Sequence, residues 1–111
     1  MTVCIVNYEA GNLGSVQRAL RALGTQAVVA DDPGQLDDAR RIILPGVGNF
    51  RDAMERLHAG GWVDAIKRAV RERGKPLLGI CVGMQALLDS SEENGGVDCI
   101  GLFPGQVRFF G

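Results

Sequence analysis

A cysteine bracketed by glycines, Gly79-Ile80-Cys81-Val82-Gly83, sits where an apolar run from Leu77 to Ile80 ends and a helical stretch from Met84 to Leu88 begins. This order predicts a strand, a sharp turn and a helix, with a thiol at the apex. The pattern has a steric cause, because a side chain at either glycine would collide with the neighbouring strand or helix. A thiol at such an apex is exposed and faces the first free N–H groups of the helix, which favour the reactive thiolate. Cys81 is therefore the candidate nucleophile. Its rival role is that of a small buried residue in a glycine-rich turn.

The rest of the chain supplies a frame for that turn. Thr2 to Val6 is an uncharged, β-branched run, the pattern of a strand buried on both faces, and Cys4 within it reads as a core thiol. Asn12 is a suitable cap for a helix whose apolar positions Leu13, Val16, Leu20 and Leu23 recur at helical spacing, with Gly24 closing it. Ala27 to Ala30 is a second strand, Asp31 to Gly34 a turn, Leu36 to Arg40 at most a short helix, and Ile42 to Leu44 a third strand. The third strand runs into Pro45-Gly46-Val47-Gly48, whose glycines let backbone N–H groups reach a ligand unobstructed. Asn49 caps a helical stretch in which Phe50, Met54 and Leu57 share a face. Gly60-Gly61 interrupts it, and Trp62, Ile66, Ala69 and Val70 resume the stripe until Gly74; this apolar face reads as core. The alternation predicts an α/β fold with a parallel sheet, right-handed crossovers and helices on both faces, whose ligands bind at the carboxyl ends of the strands. Beyond Leu88, Cys99 to Phe103 and Gln106 to Phe110 flank Pro104-Gly105 and read as a β-hairpin.

Composition narrows the function classes. The chain has 111 residues, 46% of them apolar, enough for one domain with a modest core. Twelve basic against thirteen acidic residues leave a net charge of −1, which argues against a nucleic-acid or anionic-membrane partner. No apolar run approaches the roughly 20 residues needed to span a bilayer, and no signal segment precedes the first strand, so a soluble cytoplasmic protein is expected. Cys4, Cys81 and Cys99 are odd in number and widely spaced, consistent with reduced thiols and with neither a disulfide framework nor a metal site. The adjacent Glu92-Glu93 reads as a solvated loop rather than a catalytic dyad.

Three stretches, Tyr8 to Val16, Pro45 to Met54 and Gly79 to Gln85, occur in an order and at a spacing that resemble the glutaminase subunits of imidazole glycerol phosphate synthase, class I (triad-type) glutamine amidotransferases of histidine biosynthesis. The likeness extends through Ser90 to Val107 and covers essentially this whole chain, but only about the first half of the usual family subunit. It implies a flavodoxin-like amidotransferase fold, here truncated and ending in the hairpin, as a single partial domain over 1–111. It also implies that Cys81 attacks the side-chain amide of L-glutamine, and that the N–H groups of Val82 and, after a peptide reorientation, Val47 hold the oxyanion. Gly46, Gly48 and Gln85 would belong to the glutamine pocket. Asn12 would lie near the face that docks a (βα)₈-barrel cyclase, which receives the ammonia; no cofactor is implied. Each assignment has a structural rival: Asn12 as a helix cap, the two glycines as a tight strand exit, Gln85 as an ordinary helix residue.

The family's histidine and its orienting carboxylate lie in the second half, outside this sequence. The only histidine is His58, which reads as a surface residue and not as the base. A fragment or truncated subunit with an exposed apolar sheet edge is therefore expected. The alternative to a glutaminase is a catalytically incomplete or non-catalytic partner-binding module. Nucleotide binding is weaker, since Gly11-Asn12-Leu13-Gly14 falls short of G-x-G-x-x-G and no P-loop lysine follows.

Overall fold

The structure, a computed structural model, describes residues 3–9, 13–91 and 97–108. Its centre is a four-stranded parallel sheet in the order β2-β1-β3-β4, formed by β1 (Val3–Val6), β2 (Ala27–Ala30), β3 (Arg41–Leu44) and β4 (Leu77–Gly79). The register pairs Cys4 with Val28 and Ile42, and Ile43 with Leu78. All four residues of β1 are buried, as expected of an uncharged strand between two neighbours.

Successive side chains alternate across the sheet. Cys4, Val6, Ile42 and Leu44 face the principal core. There they meet the buried stripe Phe50, Ala53, Met54 and Leu57 of α2 (Phe50–Ala59) and Trp62 and Ile66 of α3 (Trp62–Lys67). Val3, Ile5 and Ile43 face the other way, onto Leu13, Val16 and Leu20 of α1 (Leu13–Ala22). Helices thus cover both faces, as the alternation of elements predicts.

Local differences from the sequence reading have local causes. The segment after β2 is a 3₁₀ helix over Pro33–Asp38, begun by a reciprocal cap between Asp32 and Gln35. The helix after α3 continues as a π-helical turn, Arg68–Glu72, in which the Arg73 amide donates to Arg68 O at 3.2 Å. The regular part of the helix after Cys81 is short: α4 spans Val82–Gln85.

The expected hairpin around Pro104-Gly105 is not formed. A separate small sheet has the order β6-β5-β7, with β5 (Ser90–Ser91) antiparallel to β6 (Val97–Asp98) and parallel to β7 (Gln106–Val107). Cys99 to Phe103 instead turns back onto the end of α4. The amides of Ile100, Gly101 and Leu102 donate to the carbonyls of Ala86, Leu88 and Leu87 at 2.8, 2.8 and 2.9 Å. Those carbonyls follow a helix end, where no intrahelical donor is available, and the returning segment satisfies them. Its apolar residues Cys99 and Ile100 are buried by that contact. Thr2, Gly11, the cap assigned to Asn12, Glu92-Glu93 and residues 109–110 lie outside the described residues.

β4 ends the main sheet among the described residues, and Leu78 on it is 57% exposed. Among those residues no helix is long and apolar enough to cross a membrane.

Candidate active site

The strand-to-helix turn is held from both sides. The Ile80 amide continues the β3–β4 ladder by donating to Leu44 O at 3.0 Å, and the Met84 and Gln85 amides donate to Cys81 O at 3.0 and 3.2 Å. Between those anchors Cys81 takes φ 55° and ψ −120°, a backbone conformation that L-residues rarely adopt. Such a conformation costs on the order of 1–3 kcal/mol and persists only where the surroundings over-determine it. Two close approaches do so here. A Cβ at Gly83 would overlap the carbonyl oxygen of Leu44, and one at Gly79 would lie 2.7 Å from the Cα of Met84. The paired glycines therefore let α4 sit directly on β3 and β4, which leaves the Cys81 side chain exposed.

The other two thiols differ. Cys4 and Cys99 are buried, and burial raises both above the ordinary thiol range, Cys99 to about 11 with help from Asp98 and Asp89. Of the three cysteines, only Cys81 is open to solvent.

Beside the turn runs the loop that follows β3. Its Gly46 carbonyl accepts from the Val82 amide at 3.2 Å. No peptide bond among the described residues is cis, so in the planar trans Gly46–Val47 peptide the Val47 N–H points opposite to that carbonyl and away from the Val82 amide. Gly48 follows at φ 87°, and Asn49 closes the loop by accepting the Asp52 amide on its side-chain oxygen at 3.2 Å, starting α2. The structure thus brings Cys81, Val82 and Gly46 together. Val47 is in the same loop with its side chain 52% exposed. Gln85 is half-buried in the last turn of α4.

Tyr8 is a neighbour that sequence reasoning passed over. It is buried at 3% exposure and its hydroxyl donates to the Pro45 carbonyl at 2.6 Å. A Cβ at Gly46 would collide with that hydroxyl. The available signal was that Tyr8 is the only tyrosine of the chain and follows the central strand directly.

A cleft of about 390 Å³ opens at the carboxyl ends of β1 and β2, between Asn7, Tyr8, Asp31 and Trp62, with the Glu9–Arg56 ion pair at 3.2 Å on its wall. Cys81 does not line it. His58 is exposed at the end of α2. Among the described residues no three His, Cys, Asp or Glu side chains gather as a metal site would require.

A family model, glutamine amidotransferase class-I, matches residues 4–98. The imidazole glycerol phosphate synthase subunit HisH of Pseudomonas syringae pv. syringae is 51% identical over 111 residues, covering 99% of this chain and 51% of the relative. HisH of Moorella thermoacetica is 53% identical over 106 residues, covering 96% of this chain and 50% of the relative. The chain spans about half the length of the curated relatives it matches. Among solved structures, one described as a glutamine amidotransferase superposes with a TM-score of 0.82 over 96% of this chain and 55% of its own, at 22% identity, a likeness of fold.

Proposed function

The chain belongs to the class-I glutamine amidotransferases, and from that premise we propose that it carries the nucleophile and oxyanion loop of a glutaminase feeding ammonia to the cyclase subunit of imidazole glycerol phosphate synthase. The observation that carries this reading is the strained, exposed Cys81 beside a backbone N–H, on Val82, that the turn itself positions.

The Cys81 sulfur attacks the side-chain amide carbon of L-glutamine, and the C–N bond breaks as ammonia leaves, giving a γ-glutamyl thioester that water hydrolyses to glutamate. The tetrahedral oxyanion needs donors aimed at it. Val82 supplies one once the Gly46 carbonyl lets go. Turning the Gly46–Val47 peptide removes that carbonyl and brings the Val47 N–H round in the same motion, with Gly46 and Gly48 imposing little steric resistance. Gly46, Gly48 and Gln85 contribute to the glutamine pocket, and a role for Asn12 in docking a barrel-shaped cyclase is carried by the sequence resemblance alone. A general base must take the thiol proton and, as its conjugate acid, return it to the departing ammonia, a role that the single histidine, exposed on α2, does not fill. Three cysteines outside any disulfide suit a reducing cytoplasm.

The test is ammonia release from glutamine by this chain, alone and with the cyclase subunit and its ribonucleotide substrate, against Cys81→Ala. Release that disappears in the variant supports the reading. Release equal in both removes it, and none from folded, cyclase-binding protein favours the non-catalytic docking module.

A further inference from the structure

The turn that carries Tyr8 is itself fixed. The Asn7 amide donates to Ala30 O at 2.9 Å, the Asn7 side chain donates to Asp31 at 2.7 Å, and its oxygen accepts the Glu9 amide at 3.2 Å. Glu9, at φ 65°, is tied to Arg56 of α2. The phenol is thus built onto the end of the central strand with little freedom. Its hydroxyl bonds the carbonyl of Pro45, one peptide before the Gly46–Val47 peptide, and lies against the α-carbon of Gly46. A buried carbonyl at that point has left the β3 ladder and has this hydroxyl as its hydrogen-bond donor.

We propose that Tyr8 is a positioning residue for the oxyanion loop: by pinning the Pro45 carbonyl it confines the turning of the loop to the Gly46–Val47 peptide, so that the Val47 N–H arrives beside that of Val82 without displacing Gly46. Burial pushes the phenol up to about 12, so it remains a donor across the physiological range. The consequence for turnover rests on the glutaminase reading, whereas the consequence for the loop does not.

Amide hydrogen exchange by NMR on the wild-type chain and Tyr8→Phe separates the two. Loss of the hydroxyl is expected to lower protection of the Val82 amide by about tenfold or more, the scale of one buried hydrogen bond. The Ile80 amide, bonded to Leu44 O, should keep its protection. Unchanged protection at Val82, or an equal fall at Val82, Ile80 and the β1 amides, would overturn the proposal. Should the variant fail to fold, wild-type chain carrying ¹³C-labelled Pro45 and Leu44 carbonyls decides it: the Pro45 resonance is expected to follow the titration of the only tyrosine before the Leu44 resonance, which reports the β3–β4 ladder, moves, and a Pro45 resonance that moves only together with Leu44, or not at all, overturns the proposal. Where wild-type protein hydrolyses glutamine, Tyr8→Phe should lower kcat about tenfold with KM nearly unchanged, because the loop acts in the transition state. An unchanged kcat would overturn the catalytic consequence. A wild-type chain without glutaminase activity would count against the proposed function while the exchange result still decides the role of Tyr8.

Discussion

The Val82 amide and the Gly46 carbonyl oxygen are hydrogen-bonded at 3.2 Å across the elbow, so the donor next to the Cys81 thiol is already occupied. That contact depends on glycine twice. A Cβ at Gly46 would meet the Tyr8 hydroxyl and lie 2.8 Å from the Gly83 nitrogen, and a Cβ at Gly83 would run into the Leu44 carbonyl.

Alanine substitutions should therefore rank in stability. Gly83→Ala should be the most damaging, about 3 kcal/mol or more, because the obstacle is the backbone of a central strand; Gly46→Ala should cost about 1–3 kcal/mol. Gly48 has open space around it and only its positive φ to lose, so Gly48→Ala should cost about 1 kcal/mol. Urea unfolding at constant slope measures the order, and a Gly48→Ala at least as damaging as Gly83→Ala would contradict it.

Asn49 links the loop to α2 through its cap on the Asp52 amide. Asn49→Ala should lower stability by about 1 kcal/mol and Asn49→Asp by much less, since a carboxylate can accept the same amide at a helix start. Equal losses for the two variants would show that the cap is not what Asn49 contributes.

Alkaline pH should weaken the fold in a defined window. Tyr8 titrates at about 12 when folded against 10.0 as a model group, and Cys99 at about 11 against 9.0. Both folded pKa values are raised, so the folded state holds these protons more tightly. Their stabilising contribution is full below about pH 9 and is lost as pH rises through 11 and 12. For Tyr8 the loss is on the order of 2–3 kcal/mol. Unfolding free energy measured from pH 8 to 12 should fall, and the upper part of the fall should be missing in Tyr8→Phe. A flat profile would contradict this account.

The sheet, its strand order in sequence and the two-faced core were legible because each rests on local pattern. Examples are the uncharged run at β1, the Phe50, Met54 and Leu57 stripe, and the Asn49 cap. The family was legible in three stretches, and their glycines have visible steric causes at Gly46, Gly79 and Gly83. What escaped was non-local. Ile100 and Leu102 alternate like a strand, but their amides are spent on carbonyls at the end of α4, a pairing that no window of sequence contains. Tyr8 escaped for the same reason, since the carbonyl it holds is 37 residues away.

The most direct measurement is covalent labelling of the folded chain with a chloroketone analogue of glutamine, followed by peptide mass spectrometry. The three cysteines are internal controls, two buried with raised pKa values and one exposed at the elbow. A single adduct on Cys81, suppressed by excess L-glutamine and absent in Cys81→Ala, is the expected result. Labelling of Cys81 that glutamine does not suppress, or adducts spread over Cys4 and Cys99 as well, would contradict the assignment of Cys81 as the nucleophile of a glutamine site.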